Sequence, residues 1–229
     1  MQHPLDRPVW ASLTTSHLPL SEGSSWARRF DRQVNVFASA RDDSEQALAA
    51  LADMVQPGER VYLLQVPEIV VPPGLHAVKQ ARGVQMVATR SLARDADLDG
   101  ITGLAEADAP EMLALAQLTE PGPFLARTHL MGSFVGIREG GRLLGMAGER
   151  LRLPGYTEVS GVCTHPDARG RGFARRLSAV VAARIEARGD QPFLHAWSSN
   201  RTAIALYESL GFVQRAEVNV AVLERPAEA

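Results

Sequence analysis

The alternation of apolar and polar positions is clearest in the second half of the chain. There, stretches with apolar residues at helical spacing alternate with short runs rich in β-branched and aromatic residues. The pattern predicts helices over 106–118, 172–188 and 201–210, and strands over 133–138, 142–153, 157–164, 193–197 and 212–223. Gly140 and Gly141 separate the first two of these strands and predict a hairpin. Such an order is typical of an α/β or α+β enzyme domain.

The first half of the chain is less regular. Residues 1–30 show no sustained period, and their structure is left open. The pattern predicts a helix over 43–55, since Asp43 and Gln46 have the spacing of a capping box, and strands over 34–39, 61–66 and 84–89. The polar stretch 94–100 is the best candidate for a domain boundary. We therefore expect an N-terminal α/β unit over residues 1–95 and a second domain over residues 96–229.

Composition narrows the class of protein. The chain has 229 residues, of which 45% are hydrophobic, so it can bury a sizeable core. The net charge is −2 and the charged residues are interspersed, which argues against a nucleic-acid partner. Of the 24 basic residues only Lys79 is lysine, and the chain is rich in Ala and Gly, a bias typical of a bacterial genome.

The location of the protein is predicted from what the sequence lacks. A single cysteine, Cys163, excludes an intramolecular disulfide and fits a reducing compartment. No apolar run has membrane-spanning length, and the first ten residues lack the features of a signal peptide. We expect a cytoplasmic protein with no membrane partner, and the sequence leaves a homo-oligomer open.

The strongest motif joins the strand over 157–164 to the helix over 172–188. Gly170 and Gly172 let the backbone approach a ligand closely, and the free N–H groups of a helix start can bind an anion. Four arginines crowd this helix start, where the helix dipole disfavours each positive charge by roughly 0.3–1 kcal/mol. The sequence thus indicates a phosphate site, with a solvated basic helix end as the alternative. The dinucleotide fingerprint fails because residue 175 is Arg, and the Walker motif is absent.

Two sequence blocks resemble one family. Arg169-x-x-Gly172-x-Ala174 is similar to the Q/R-x-x-G-x-G/A signature of the GNAT superfamily of N-acetyltransferases. The block Asn200-x-x-Ala203-x-x-x-Tyr207-x-x-x-Gly211-Phe212 resembles the later cofactor-binding helix of that family and the turn after it. The blocks occur in the family's order, and the resemblance covers residues 101–224.

The resemblance implies a fold and a cosubstrate. The expected fold is a twisted mixed sheet flanked by helices and splayed open between strands 157–164 and 193–197, with the pantetheine of acetyl-CoA in the gap. Residues 1–95 lie outside the resemblance, but the strand, helix, strand, strand order over 34–89 resembles a shortened, degenerate acetyltransferase half. Asn200 would contact the cofactor or serve only as an N-cap. The implied cofactor-binding residues are Val162, Cys163, Thr164, Arg169, Gly170, Arg171, Gly172, Phe173, Ala174, Asn200 and Tyr207.

The resemblance also implies catalytic residues. At pH 7 only about one in 2,500 lysine side chains and roughly one in ten α-amino groups are deprotonated, so a base would help acetyl transfer. Glu158 precedes Arg169 by eleven residues, as the catalytic glutamate does in the histone-acetylating branch, and is the candidate base, directly or through water. An exposed strand carboxylate is the alternative, and Glu149 is the reserve. Tyr207 matches the tyrosine that points at the thioester sulfur and is the candidate acid; a buried aromatic is the alternative.

Other chemistry has less support. His195 lies in a predicted strand, where histidine more often completes a core hydrogen bond, and Cys163 has no sequence signal for a partner histidine. No cluster of residues has metal-ligand spacing, so no metal is expected. We predict acetyl transfer from acetyl-CoA to the primary amine of a small molecule or amino acid. A protein or peptide acetyltransferase and a non-catalytic acetyl-CoA sensor are the alternatives.

Overall fold

The computed structural model describes residues 3–227. The segment before residue 60 forms a small layer of its own. For the first half of this segment the sequence pattern predicted no structure. It contains α1 (Pro8–Leu13), the antiparallel strands β1 (Ser21–Gly23), β2 (Ala27–Phe30) and β3 (Ala38–Ala40), and α2 (Glu45–Asp53).

The remaining strands form one eight-stranded mixed sheet. They are β4 (Arg60–Gln65), β5 (His76–Ala88), β6 (Ile101–Leu104), β7 (Phe134–Glu139), β8 (Arg142–Leu153), β9 (Tyr156–Thr164), β10 (Gln191–Trp197) and β11 (Phe212–Glu224). Their order is β4-β11-β5-β10-β9-β8-β7-β6, and among these neighbours only β9 and β10 are parallel. The helices α3 (Ala109–Thr119), α4 (Phe173–Glu186) and α5 (Arg201–Leu210) flank the sheet. The predicted mixed sheet with flanking helices is confirmed.

Both faces of the sheet are covered. On one face α4 buries Phe173, Leu177, Val180, Val181 and Ile185, which recur at helical spacing, in the largest core cluster. On the other face α1 packs against Leu151, Leu153 and Phe193, and α3 packs against Met146 and Cys163. The central strands are consequently buried on both sides over much of their length, which places Glu149, Thr157 and Glu158 in the interior.

Several predicted boundaries are shifted. The helix predicted over 43–55 is α2, but Ser44 caps it: its hydroxyl accepts a hydrogen bond from the Ala47 N–H at 3.4 Å, while Asp43 pairs with Arg7. The strand predicted over 34–39 is shorter and begins at Ala38. The strand predicted over 84–89 begins earlier, at His76. Its first half was not predicted because that half is largely solvent-exposed and its sequence shows no apolar alternation. The edge strand β6 was not predicted.

The division at residue 95 stays a prediction. In the structure β4 and β5, which precede that position, pair with β11, and β5 also pairs with β10. Both parts of the chain therefore contribute neighbouring strands to one sheet. The terminal positions 1, 2, 228 and 229 of the two predicted ranges lie outside the described residues. No helix within residues 3–227 is long and apolar enough to cross a membrane.

Candidate active site

The sheet opens between β9 and β10. These parallel strands pair only over the rungs Gln191↔Tyr156, Pro192↔Thr157 and Phe193↔Glu158, and beyond Glu158 they separate. A bulge in β9 accounts for the separation: its register against β8 shifts between Ser160 and Cys163, and Gly161 has φ +62°. A bulge bends its strand, and a positive φ is easily adopted only by glycine. The opening that the resemblance implied thus follows from the backbone at Gly161.

A cavity of about 680 Å³ lies in this opening. It is lined by the free end of β9, the start of α4, the end of β10 and one side of α5. Of the predicted cofactor-binding residues, ten line it: Val162, Cys163, Thr164, Arg169, Gly170, Gly172, Phe173, Ala174, Asn200 and Tyr207. Arg171 does not; its guanidinium pairs with Glu139 and lies over the ring of Phe173.

One end of the cavity has the features of an anion site. Gly170 and Gly172 both have φ +77°, and a Cβ at either position would meet no atom within 4 Å. Gly172 is the N-cap of α4 and supplies no side chain to its first N–H groups, which leaves them free for a ligand. Arg169 and Arg175 line the same region. A pyrophosphate fits this combination of free amides and guanidinium groups.

Tyr207 lies on α5 and lines the cavity. Burial, together with the nearby charge of Glu158, raises the pKa of Tyr207 to about 12. The phenol therefore keeps its proton at any ordinary assay pH and can donate a hydrogen bond. Asn200 begins the same helix, where its side-chain oxygen accepts a hydrogen bond from the Ala203 N–H at 3.1 Å. Asn200 therefore serves as the N-cap and lines the cavity as well.

Glu158 is fully buried on the last paired rung of the two strands. Its carboxylate accepts hydrogen bonds from Arg150 Nε (2.8 Å) and Nη2 (2.6 Å), from the Leu151 N–H (3.3 Å) and from His195 Nδ1 (2.7 Å). Burial alone would raise the pKa of Glu158, but the charge and hydrogen bonds of Arg150, aided by His195, lower it to about 2. The exposed-carboxylate alternative is excluded. Glu158 itself does not line the cavity, whereas Arg150 and His195 do.

His195 connects this cluster to the N-terminal segment. Its Nε2 lies 3.0 Å from Gln85 Nε2. The Gln85 amide is oriented by its other partners, since Oε1 accepts from Arg215 at 2.8 Å and Nε2 donates to the Leu5 carbonyl at 2.9 Å. Gln85 must then donate to His195 Nε2, so the His195 Nδ1–H donates to Glu158. Sequence reasoning missed Arg150 and Gln85, because strand register alone brings these residues together; the core hydrogen bonds expected of His195 are present.

The surroundings of Glu149 and Cys163 do not favour a role for either in catalysis. Glu149, the reserve base, pairs with Arg188 at 2.8 Å and does not line the cavity. Cys163 lines the cavity but is buried, and burial raises the pKa of its thiol to about 11, so it is not a thiolate at neutral pH.

A second cavity of about 570 Å³ adjoins the first. The two share lining residues from the loop after α3, from the tip of β10, and from β4 and β11: Tyr62, Glu120, Gly122, Pro123, Trp197 and Val220. The opening in the sheet thus continues from the anion site at the start of α4 to a chamber beside β4 and β11.

Known proteins share this architecture. A family model described as FR47-like protein matches residues 134–221. N-alpha-acetyltransferase RimI of Mycobacterium tuberculosis is 38% identical over 130 residues, which cover 51% of this chain and 81% of that protein. A crystal structure of a GNAT-family acetyltransferase from Novosphingobium aromaticivorans is 43% identical, with a TM-score of 0.91 over 99% of this chain and 100% of that one. A GCN5-related N-acetyltransferase from Kribbella flavida, at 17% identity, shows the same fold with a TM-score of 0.67 over 100% of this chain and 98% of that one.

Proposed function

Because the chain belongs to the GNAT family of acetyltransferases, we propose that it transfers the acetyl group of acetyl-CoA to the primary amine of a small molecule or amino acid. One observation carries the proposal. A single cavity between separated parallel strands contains an unblocked helix start at one end and a protonated tyrosine, Tyr207, on its wall.

The residues of the opening fit acetyl-CoA. When bound, acetyl-CoA supplies the activated acetyl thioester. In our proposal the N–H groups between Arg169 and Ala174 bind its pyrophosphate, and the main chain of Val162 and Thr164 pairs with pantetheine as an added strand would. Asn200 and Tyr207 contact the cofactor from the opposite wall. Arg171, which faces Glu139, is the predicted contact with the least support.

Tyr207 is proposed to stabilise the leaving sulfur. An ordinary thiol has a pKa of about 8.5, so complete proton transfer from a phenol with a pKa of about 12 to a thiolate is unfavourable. A hydrogen bond from the Tyr207 hydroxyl to the sulfur needs no transfer and still lowers the free energy of the departing charge.

Glu158 is proposed to position Arg150 and His195 and not to contact the amine. A carboxylate offers about four acceptor sites, and its contacts with Arg150, Leu151 and His195 occupy that number. Its low pKa also makes it a weak proton acceptor. Both features disfavour Glu158 as a base, whether direct or through water. In this mechanism no side chain acts as the base: the acceptor passes its proton to water before it attacks the thioester carbon, so kcat/KM rises with pH up to the pKa of the acceptor.

Release of free thiol tests the function. Wild-type protein with acetyl-CoA and a panel of primary amines should release thiol at a rate above the background hydrolysis of acetyl-CoA. Thermal stabilisation by acetyl-CoA without thiol release for any amine would instead indicate a sensor.

A protein α-amino group is the second candidate acceptor, because the relative from Mycobacterium tuberculosis is an N-alpha-acetyltransferase and this chain covers 81% of its length. Competition in one reaction between free amines and short peptides separates the two acceptors. Preferential acetylation of the peptides would favour this second candidate.

A further inference from the structure

The wall of the second cavity is mostly apolar and includes aromatic rings, with Lys79, Gln117 and Glu120 among its polar side chains. Tyr62 lines both cavities and meets Phe37, which lines the first, edge to face with ring centroids 6.4 Å apart. Val220 of β11 also lines both cavities. Trp197, at the end of β10, lines both cavities and is 41% exposed. A ligand gains binding free energy in this cavity if it buries apolar surface against these rings.

Hydrogen bonds join two chain segments that line the second cavity. The chain beyond the loop after α3 is tied to the N-terminal segment, since the Arg127 N–H donates to the Gln33 carbonyl at 3.0 Å and the Thr128 hydroxyl donates to the Val34 carbonyl at 2.7 Å. Leu125 and Val36, on the two sides of this junction, both line the second cavity. Its volume of about 570 Å³ is in the range of small-molecule sites. A cavity of this volume fits a small amine acceptor.

Glu120 is the only carboxylate among the described residues that line either cavity. It is also the only non-glycine residue of the described chain with a positive φ, at +49°. The left-handed conformation is unfavourable for glutamate, and an anion at the C-terminal end of a helix, here α3, opposes the helix dipole. Glycine would satisfy both local preferences. Strain that persists in this way is typical of positions kept for binding or catalysis.

We propose that the acceptor is a small primary amine with an apolar, preferably aromatic, skeleton, and that Glu120 determines this specificity by binding the ammonium group as the acceptor enters. The skeleton packs against Phe37, Tyr62 and Trp197. The inference rests on the proposed function and names its substrate class. It assigns acceptor recognition to the loop after α3 and to residues that precede position 95.

A matched pair of amines tests the skeleton. Phenethylamine and ethanolamine have the same reacting group, but only the first has an aromatic ring to bury. We expect kcat/KM for phenethylamine to be higher by about 100-fold, because the ring adds several methylene equivalents of buried surface. Tyr62→Ala should lower the value for phenethylamine about 10-fold and the value for ethanolamine by less, whereas Val213→Ala, on the exposed part of β11 away from both cavities, should change neither.

Two substitutions test Glu120. Glu120→Gln keeps the shape and removes the charge, so KM for phenethylamine should rise about 10-fold with kcat little changed. The wild-type KM should also rise between about 0.05 and 0.5 M NaCl, and that salt dependence should be absent from Glu120→Gln. Glu120→Gly relieves the backbone strain, so its Tm should be at or above the wild-type value although its KM is raised. Glu106→Gln, an exposed carboxylate that lines neither cavity, is the control.

The outcomes separate this inference from the function itself. No thiol release with any amine would overturn the proposed acetyl transfer. Thiol release with equal or better use of ethanolamine, or of a short peptide beginning with alanine, would keep acetyl transfer and overturn the acceptor class. An unchanged KM in Glu120→Gly and Glu120→Gln would overturn the role of Glu120 in acceptor binding and leave it only as the C-cap of α3.

Discussion

Acid should destabilise the protein through Glu158. The pKa of its carboxyl is about 2 in the folded chain and would be near the ordinary value of 4.5 in the unfolded chain. Because the pKa of Glu158 is lower in the folded chain than in the unfolded chain, ionised Glu158 stabilises the fold at pH values above the unfolded-state pKa. This stabilisation is lost as the pH falls toward the folded-state pKa. The difference of about 2.5 pKa units corresponds to about 3 kcal/mol, of which about 2 kcal/mol should be lost by pH 3.

Glu158→Gln isolates this contribution from the other carboxylates that titrate in the same range. At pH 7 the variant leaves the guanidinium of Arg150, 13% exposed, without its counter-charge, and should lose about 3–5 kcal/mol of unfolding free energy. The free energy of unfolding in urea, followed by tryptophan fluorescence from pH 7 to pH 3, should then fall less steeply in the variant than in the wild type. The two values should converge toward low pH.

Two further variants make the test specific. Glu217→Gln removes an exposed carboxylate that pairs with the exposed Arg82, and its unfolding free energy should track the wild type at every pH. The double change Arg150→Met with Glu158→Gln removes both buried charges and should recover stability relative to Glu158→Gln alone. A constant gap between wild type and Glu158→Gln from pH 7 to pH 3 would refute the depressed pKa. A pH-rate profile of Glu158→Gln that is not parallel to the wild type would return Glu158 to the role of base.

Three further predictions concern single positions. Gly172→Val should abolish the stabilisation that acetyl-CoA confers, about 2.7 kcal/mol at 100 times its dissociation constant, whereas Gly189→Val, with a similar positive φ at the far end of α4, should keep it in a thermal-shift assay. Equal stabilisation of both variants would contradict the proposed phosphate site. Tyr207→Phe should lower kcat about 10²-fold with little change in acetyl-CoA affinity, measured by steady-state kinetics and calorimetry; an unchanged kcat would leave Tyr207 as a packing residue. Gly148→Ala would place a Cβ 2.2 Å from the ring of Phe134 and should cost about 1–3 kcal/mol or more in urea unfolding, so an unchanged stability would refute that packing.

The cofactor side of the site could be predicted from sequence because its determinants are local. The apolar residues of α4 recur at helical spacing, and Gly170 and Gly172 precede them directly, so the strand, the tight turn and the open helix start occur within one short stretch. Ten of the eleven predicted cofactor-binding residues line the cavity, eight of them within this stretch; Asn200 and Tyr207 come from the second sequence block. Arg171 departs because its position in the motif does not determine where its long side chain points.

The environment of Glu158 could not be predicted because it depends on long-range register. Arg150 reaches it from β8, where a shift in pairing with β9 sets which residues face each other, and His195 reaches it from β10. Gln85, which holds His195, lies 110 residues away in the chain. Position 158 alone predicts a strand carboxylate. Only the assembled sheet shows that its acceptor sites are already occupied.

The opening between β9 and β10 and the second cavity beside it are therefore specified by different parts of the chain. The family model matches residues 134–221, which include the Gly161 bulge, the open helix start and Tyr207. Tyr62 and Glu120 lie before that range, yet they line both cavities, and Phe37 lines the first. In our proposal, substitutions before residue 134 change the acceptor and leave the cosubstrate site as it is. β4 and β5 of the preceding segment are hydrogen-bonded into the same sheet, which holds the proposed acceptor chamber in fixed register with the proposed opening for acetyl-CoA.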